Sequence, residues 1–172
     1  MTAAVKLNVS YQGEPGANSE AAIHQLFDLY ASASFNNKNN YSVTPIPCHT
    51  FEQAFISVST HTSDCALIPF ESSIGGTVYD NYDLIASHQL NIIAELQYTV
   101  HHCSMQLHVA TDRHSIKRVI SHPQALAQCS QYIREYYPHA IIEPVYDTAG
   151  SAKMVRDNQW CTVYCNSAII FN

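Results

Sequence analysis

Charge is scarce in this sequence. Only 13% of the 172 residues are Asp, Glu, Lys or Arg, with eight basic residues against fourteen acidic ones and a net charge of −6. A nucleic acid is thereby excluded as a main partner, because phosphate contacts need a basic face. Long apolar runs are missing too, so no bilayer-spanning helix and no membrane partner are expected. The start, MTAAVKLNVS, enters a strand-like run almost at once, without an Arg- and Ser-rich or apolar leader. The expected compartment is the cytoplasm. Neither GxxxxGK[ST] nor GxGxxG occurs, so the Gly75-Gly76 turn is no P-loop and no dinucleotide fingerprint. Cys161-x-x-x-Cys165 has no matching second pair. His101 and His102 would point to opposite faces of a strand and could not easily share a metal. The six cysteines are scattered, as expected of reduced, mostly buried thiols. No metal and no cofactor are expected.

What is present is a large apolar fraction, 47%, arranged as alternating strands and helices. Val5–Tyr11 reads as a strand ended by Gly13, Pro15 and Gly16, with Ser19 as N-cap of a helix. Residues 31–40 read as a polar surface loop, and Tyr41–Ile46 as a second strand. Thr50 and Gln53 form a capping-box pattern. Cys65–Phe70 is a short apolar strand. Thr77 and Asp80 have capping-box spacing before another helix. Leu90–Val100 reads as a long strand that could cross between two lobes, and Ser104–Val109 can be another strand. Arg118–Ser121 is extended, Pro123 opens a helix over Gln124–Tyr136, Ala140–Val145 is a strand, and Thr148 can cap the helix Ala149–Asn158. This alternation predicts an α/β fold with a partly parallel sheet.

Four turns share one design, in which a strand ends, polar side chains appear and a helix begins. They are Tyr11–Glu20, Glu71–Thr77, Ser121–Gln124 and Asp147–Ala152. Ligands of open α/β sheets bind beyond the carboxyl ends of strands, where helix N-termini offer free N–H groups and partial positive charge. Gly75, Gly76 and Gly150 allow close backbone approach. A small anionic ligand fits this design without a basic patch. Each turn taken singly is also an ordinary joint of any α/β protein. His122 could be a general acid, or equally a helix cap or a packed ring.

The motifs YQGEPGANSEAA (Tyr11–Ala22), ALIPFESSIGGTVYDNYDLI (Ala66–Ile85), HHC (His101–Cys103), RVISHPQALAQC (Arg118–Cys129) and YDTAGSAKM (Tyr146–Met154) occur in this order. The chain resembles the prephenate dehydratase family, including the similar plant arogenate dehydratases. The resemblance implies a two-lobed α/β fold like the type 2 periplasmic binding proteins, with the site between the lobes and a second lobe or closing segment that is incomplete. It implies a catalytic domain over residues 5–160, truncated, then a divergent tail over 161–172 in which the likeness fades, and no ACT regulatory domain. It implies loss of carbon dioxide and water from prephenate, giving phenylpyruvate for phenylalanine synthesis, or the same reaction on arogenate, giving phenylalanine directly. No metal or organic cofactor is implied, and a homodimer is a possible assembly.

By the same resemblance Gln124 and Thr148 are the catalytic candidates. Ser73, Gly75, Gly76, Thr77, Ser121, His122 and Ala149 are the substrate-binding ones. Two departures are visible: Ser72 stands where the family has asparagine, and no Thr-Arg-Phe occurs in the 172 residues. That motif carries the family's proton donor to the leaving hydroxyl. These residues alone are therefore expected to bind more readily than they turn over. A catalytically silent binding module for small carboxylates and a non-functional fragment are the alternative readings.

Overall fold

β1 (Val5–Gln12) shows why the first half of the chain folds as it does. Val9, Ser10 and Tyr11 are all buried, although consecutive strand residues face opposite sides. Such a strand must be covered on both faces, which is the usual state of a central parallel strand. In the computed structural model β1 lies between β2 (Tyr41–Cys48) and β3 (Cys65–Ala66), and both pairings are parallel. The structure describes residues 5–33, 41–106, 116–158 and 163–167, with the backbone alone for 33 and 163–167. The expected loop over 31–40 lies mostly outside the described residues. β2 carries Pro45 and Pro47, which cannot donate to a ladder, and among the described residues it pairs on one side only, as an edge strand can.

α1 (Asn18–Ala33) and α2 (Phe51–Ser59) connect these strands. Ser19 lies inside α1 rather than capping it, and Glu20 Oε2 accepts the Gly16 N–H at 2.5 Å from one turn along. Thr50 caps α2 as its spacing implies: its hydroxyl accepts the Gln53 N–H at 3.1 Å, while Gln53 Oε1 accepts the His49 N–H at 3.0 Å. α2 buries Ala54 and Phe55 and accepts, at the Ala54 carbonyl, a 3.1 Å hydrogen bond from the buried Ser10 hydroxyl.

β4 (Glu71–Ser72) and β5 (Gly76–Thr77) form a small antiparallel hairpin that leads into α3 (Tyr79–Ser87). Thr77 is paired with Glu71 in that ladder, so it does not cap α3. Val78 holds the cap position without a side-chain bond. Residues 90–100 are not a strand, although their pattern suggests one. No described strand pairs with them, and an isolated extended segment has no ladder to define it. The chain divides into two units within this segment, Met1–Tyr98 and Thr99–Asn172.

Among the described residues the second unit has one four-stranded sheet in the order β6-β9-β7-β8. β6 (His102–Met105) runs antiparallel to β9 (Val163–Ser167), while β7 (Arg118–Ser121) is parallel to both β9 and β8 (Ile141–Pro144). Adjacent residues of β7 build the two cores. Val119 packs with Ile116, Leu126 and Ile133 on one face. Ile120 packs with Val155 and the partly buried Met105, Ala152 and Met154 on the other. α4 (Pro123–Gln128) and α5 (Ser130–Tyr136) supply the first layer and α6 (Thr148–Asp157) the second. The single helix expected over Gln124–Tyr136 thus bends at Cys129. Its hydrogen bonding continues, because Cys129 N–H donates to Ala125 and Ile133 N–H donates to Cys129.

Candidate active site

The second unit carries most of the candidate residues. Ser121 is in register with Pro144 on the neighbouring parallel strand, and the Val145 N–H donates to the Ser121 carbonyl at 2.9 Å. The turns that leave β7 and β8 therefore start side by side at the carboxyl end of the sheet. One holds His122 and Gln124, and the other holds Thr148 and Ala149. Ser121 is fully buried at the end of β7.

His122 is the N-cap of α4, and its Nδ1 accepts the Gln124 N–H at 3.3 Å. A neutral ring accepting at Nδ1 carries its proton on Nε2, which is then the available donor. The Gln124 side chain is exposed at the second helical position, with an amide that can both donate and accept.

The N-cap of α6 is Asp147, not Thr148. Its buried Oδ2 accepts the Gly150 N–H at 2.8 Å. Thr148 is thereby released from capping, and Thr148 and Ala149 are partly exposed on the first turn. Asp147 is the residue the sequence reading missed. The signal was there, since Asp precedes Thr with Gly at the third helical position. Arg118 opens β7 at the opposite, amino end of the strand, where it pairs with Glu143 at 3.6 Å, so positive potential at the carboxyl end comes from the helix N-termini.

In the first unit the hairpin turn places Ser73, Gly75 and Gly76 exposed at its tip and Thr77 half-buried at its base. The turn is well defined. Ser72 Oγ accepts the Gly75 N–H at 3.1 Å, Gly76 has φ +76°, and the Val78 N–H returns to the Phe70 carbonyl at 2.9 Å. Ser72 thus fills a local turn role. Below it Asn81 is fully buried and donates from Nδ2 to the Pro69 carbonyl at 2.7 Å. Phe70 meets Tyr82 edge-on at 4.8 Å.

His101 is exposed, while His102 is bound through Nε2 to Gln128 Oε1 at 2.7 Å. No three His, Cys, Asp or Glu side chains gather in a way that could hold a metal ion among the described residues. The side chains of Cys161 and Cys165 lie outside them. Burial pushes the Cys48 thiol up in pKa, partly offset by the Tyr11 backbone N–H. Burial and the Asp64 charge both push Cys65 up. Both are poor nucleophiles at neutral pH.

Comparison with known proteins decides the kinship. The prephenate dehydratase family model matches residues 9–169. The chain belongs to the prephenate dehydratase family. The match runs past Trp160, where the likeness was expected to fade. Arogenate dehydratase 5, chloroplastic, of Arabidopsis thaliana is 43% identical over 153 residues, covering 88% of this chain and 32% of that protein. Arogenate dehydratase 1 of Petunia hybrida is 42% identical, again covering 88% and 32%. The chain thus spans about a third of the length of these relatives. Among solved structures, GqqA, described as a novel type of quorum quenching acylase, superposes with a TM-score of 0.72 at 30% identity, over 94% of this chain and 54% of that one. The prephenate dehydratase of Arthrobacter aurescens, solved with L-Phe, gives 0.65 at 23% identity over 94% and 49%, a likeness of fold. The fold class is the α/β, periplasmic-binding-protein-like fold of prephenate dehydratases. No described helix is long and apolar enough to cross a membrane.

Proposed function

We propose that these residues form substrate-binding walls of a dehydratase, a carbon–oxygen lyase of phenylalanine biosynthesis acting on arogenate or prephenate. The observation that carries the reading is the adjoining of the His122–Gln124 and Thr148–Ala149 turns at the ends of paired parallel strands. Both substrates carry carboxylates on a ring that becomes aromatic when carbon dioxide and water leave. The protein's work is therefore orientation and hydrogen bonding to groups on which charge develops. In this reading the first turn of α6 meets a carboxylate, with the Thr148 hydroxyl beside it. The Gln124 amide and the His122 Nε2–H donate to the polar end of the ligand. The hairpin of Ser73, Gly75, Gly76 and Thr77 in the first unit is proposed, by its motif, as a substrate-binding turn in its own right. Ser121 and Asp147 shape the turns.

The names of the similar relatives favour arogenate. The reading needs no metal or cofactor. Binding and orientation are the roles assigned to these residues. Titration calorimetry with arogenate and with prephenate tests the reading. Saturable binding that weakens about tenfold in Gln124→Ala, the loss of one charge-assisted hydrogen bond, supports it. Absence of binding to either ligand refutes it, and the non-functional fragment then stands. A homodimer and a cytoplasmic location belong to the same proposal. Light scattering checks the first. Tagging in cells checks the second against the chloroplast named for several relatives.

A further inference from the structure

Gly150 is the third residue of α6 and is buried. A Cβ built there would lie 2.9 Å from the Tyr146 hydroxyl oxygen, 3.1 Å from Cζ and 3.3 Å from Cε1. The hydroxyl end of the Tyr146 ring thus rests directly on the first turn of α6, in space that only glycine leaves open. Tyr146 is nevertheless 54% exposed. Its side chain is pinned at one end and open to solvent along much of its surface, immediately before the Asp147 cap. An aromatic side chain kept exposed forgoes the burial that normally stabilises it. The chain keeps it beside Thr148 and Ala149.

We propose that Tyr146 is a ligand-positioning residue: its ring, held against Gly150, forms the apolar flank of the α6 turn and packs against the carbocycle of a ring-bearing carboxylate. The proposal rests on the function proposed above and adds a determinant for the ring, where the turns account only for polar ends. It assigns the contact to the ring face and not to the phenol oxygen. Aromatic packing on a six-membered ring suits both substrates, so Tyr146 selects ring-bearing carboxylates over ringless ones of equal charge.

The test compares Tyr146→Ala, Tyr146→Phe and Gly150→Ala with the unaltered full chain, by calorimetry with prephenate and arogenate alongside thermal melts. Tyr146→Ala is expected to weaken binding about tenfold, and Tyr146→Phe to stay within about threefold of the unaltered chain. Gly150→Ala, which drives a methyl into the ring position, should resemble Tyr146→Ala. If it fails to melt cooperatively, the Ala and Phe variants at 146 decide alone. Equal affinity in Tyr146→Ala and the unaltered chain overturns the inference and leaves the proposed function standing. So does a Tyr146→Phe as weak as Tyr146→Ala, because the hydroxyl would then be the contact. An unaltered chain that binds neither ligand overturns the proposed function and this inference with it.

Discussion

Replacing Asp147 by alanine should loosen the second unit by about 2 kcal/mol. Asp147 is 8% exposed, and its carboxylate accepts the buried Gly150 N–H at 2.8 Å. An ordinary N-cap is worth about 1 kcal/mol. Here the deleted acceptor also leaves a buried N–H without its partner, a cost of about 1–3 kcal/mol on its own. The two overlap because they describe one bond, so about 2 kcal/mol is the working figure. The effect should reach the sheet, because α6 holds Val155 against Ile120 of β7. Asp147→Asn keeps an oxygen at the cap and loses only the charge at the helix N-terminus, about 0.3–1 kcal/mol. The order of stability is then Asp, Asn, Ala. Urea unfolding followed by far-UV circular dichroism reads it, with the Val155 methyl resonances as a local probe of α6. At an m-value near 2 kcal/mol/M, the alanine variant should shift the midpoint by about 1 M. An alanine variant within about 0.3 kcal/mol of the unaltered protein would refute the assignment of Asp147 as cap. An asparagine variant as unstable as alanine would show that the charge, and not the hydrogen bond, stabilises the turn.

Ile120→Ala should cost about 3 kcal/mol and Ile120→Val about 1 kcal/mol in the same titration, because Ile120 is fully buried against Val155. His122→Ala removes the acceptor for the Gln124 N–H. A cost of about 1 kcal/mol is expected, most of it recovered in His122→Asn, a strong N-cap residue. Thiol labelling at neutral pH should modify the exposed Cys103 before Cys48 and Cys65, whose thiols burial holds in the neutral form. The linkage has a definite sign. The folded state prefers the neutral thiols, so their contribution to stability is complete below the ordinary thiol pKa and is lost as pH rises through it towards the higher folded value. A Cys48→Ala, Cys65→Ala double variant should lose less stability than the parent between pH 8 and 10, as measured by urea midpoints.

Elements bounded by a local signal were legible in the sequence. Thr50 and Gln53 announce α2, Pro123 announces the start of α4, and the apolar runs announce β1 and β7. Caps were misread where two hydroxyl- or carboxyl-bearing residues compete. Thr77 and Thr148 have the right chemistry, but ladder pairing claims the first and Asp147 pre-empts the second. The segment 90–100 shows a different limit. Its residues have strand character, but strand formation is a property of two segments, and a one-dimensional pattern cannot supply the partner. The candidate residues come from motifs, and Gln124, Thr148 and Ala149 occupy neighbouring turns. The full burial of Ser121 follows from its place in a strand covered on both faces, which a motif does not reveal. The contact of Tyr146 with Gly150 was invisible for the same reason: a glycine's empty Cβ position has meaning only once its neighbour is placed.

The position of β9 has a consequence for the order in which the second unit can assemble. β9 lies between β6 and β7, pairing residue 102 with residue 167 and residue 119 with residue 163. On the ribosome β6 is therefore made about sixty residues before the strand that completes its ladder, an interval of some seconds at about 5–20 residues per second. Until then β7 and β8 can pair with each other, but β6 has no neighbour among the described strands. Closing so long a loop is a late and slow event in a sheet of this topology. The nascent chain should need protection from premature pairing through β6 and β7, and an early stop within α6 should leave two free edges where the finished sheet has one continuous interior.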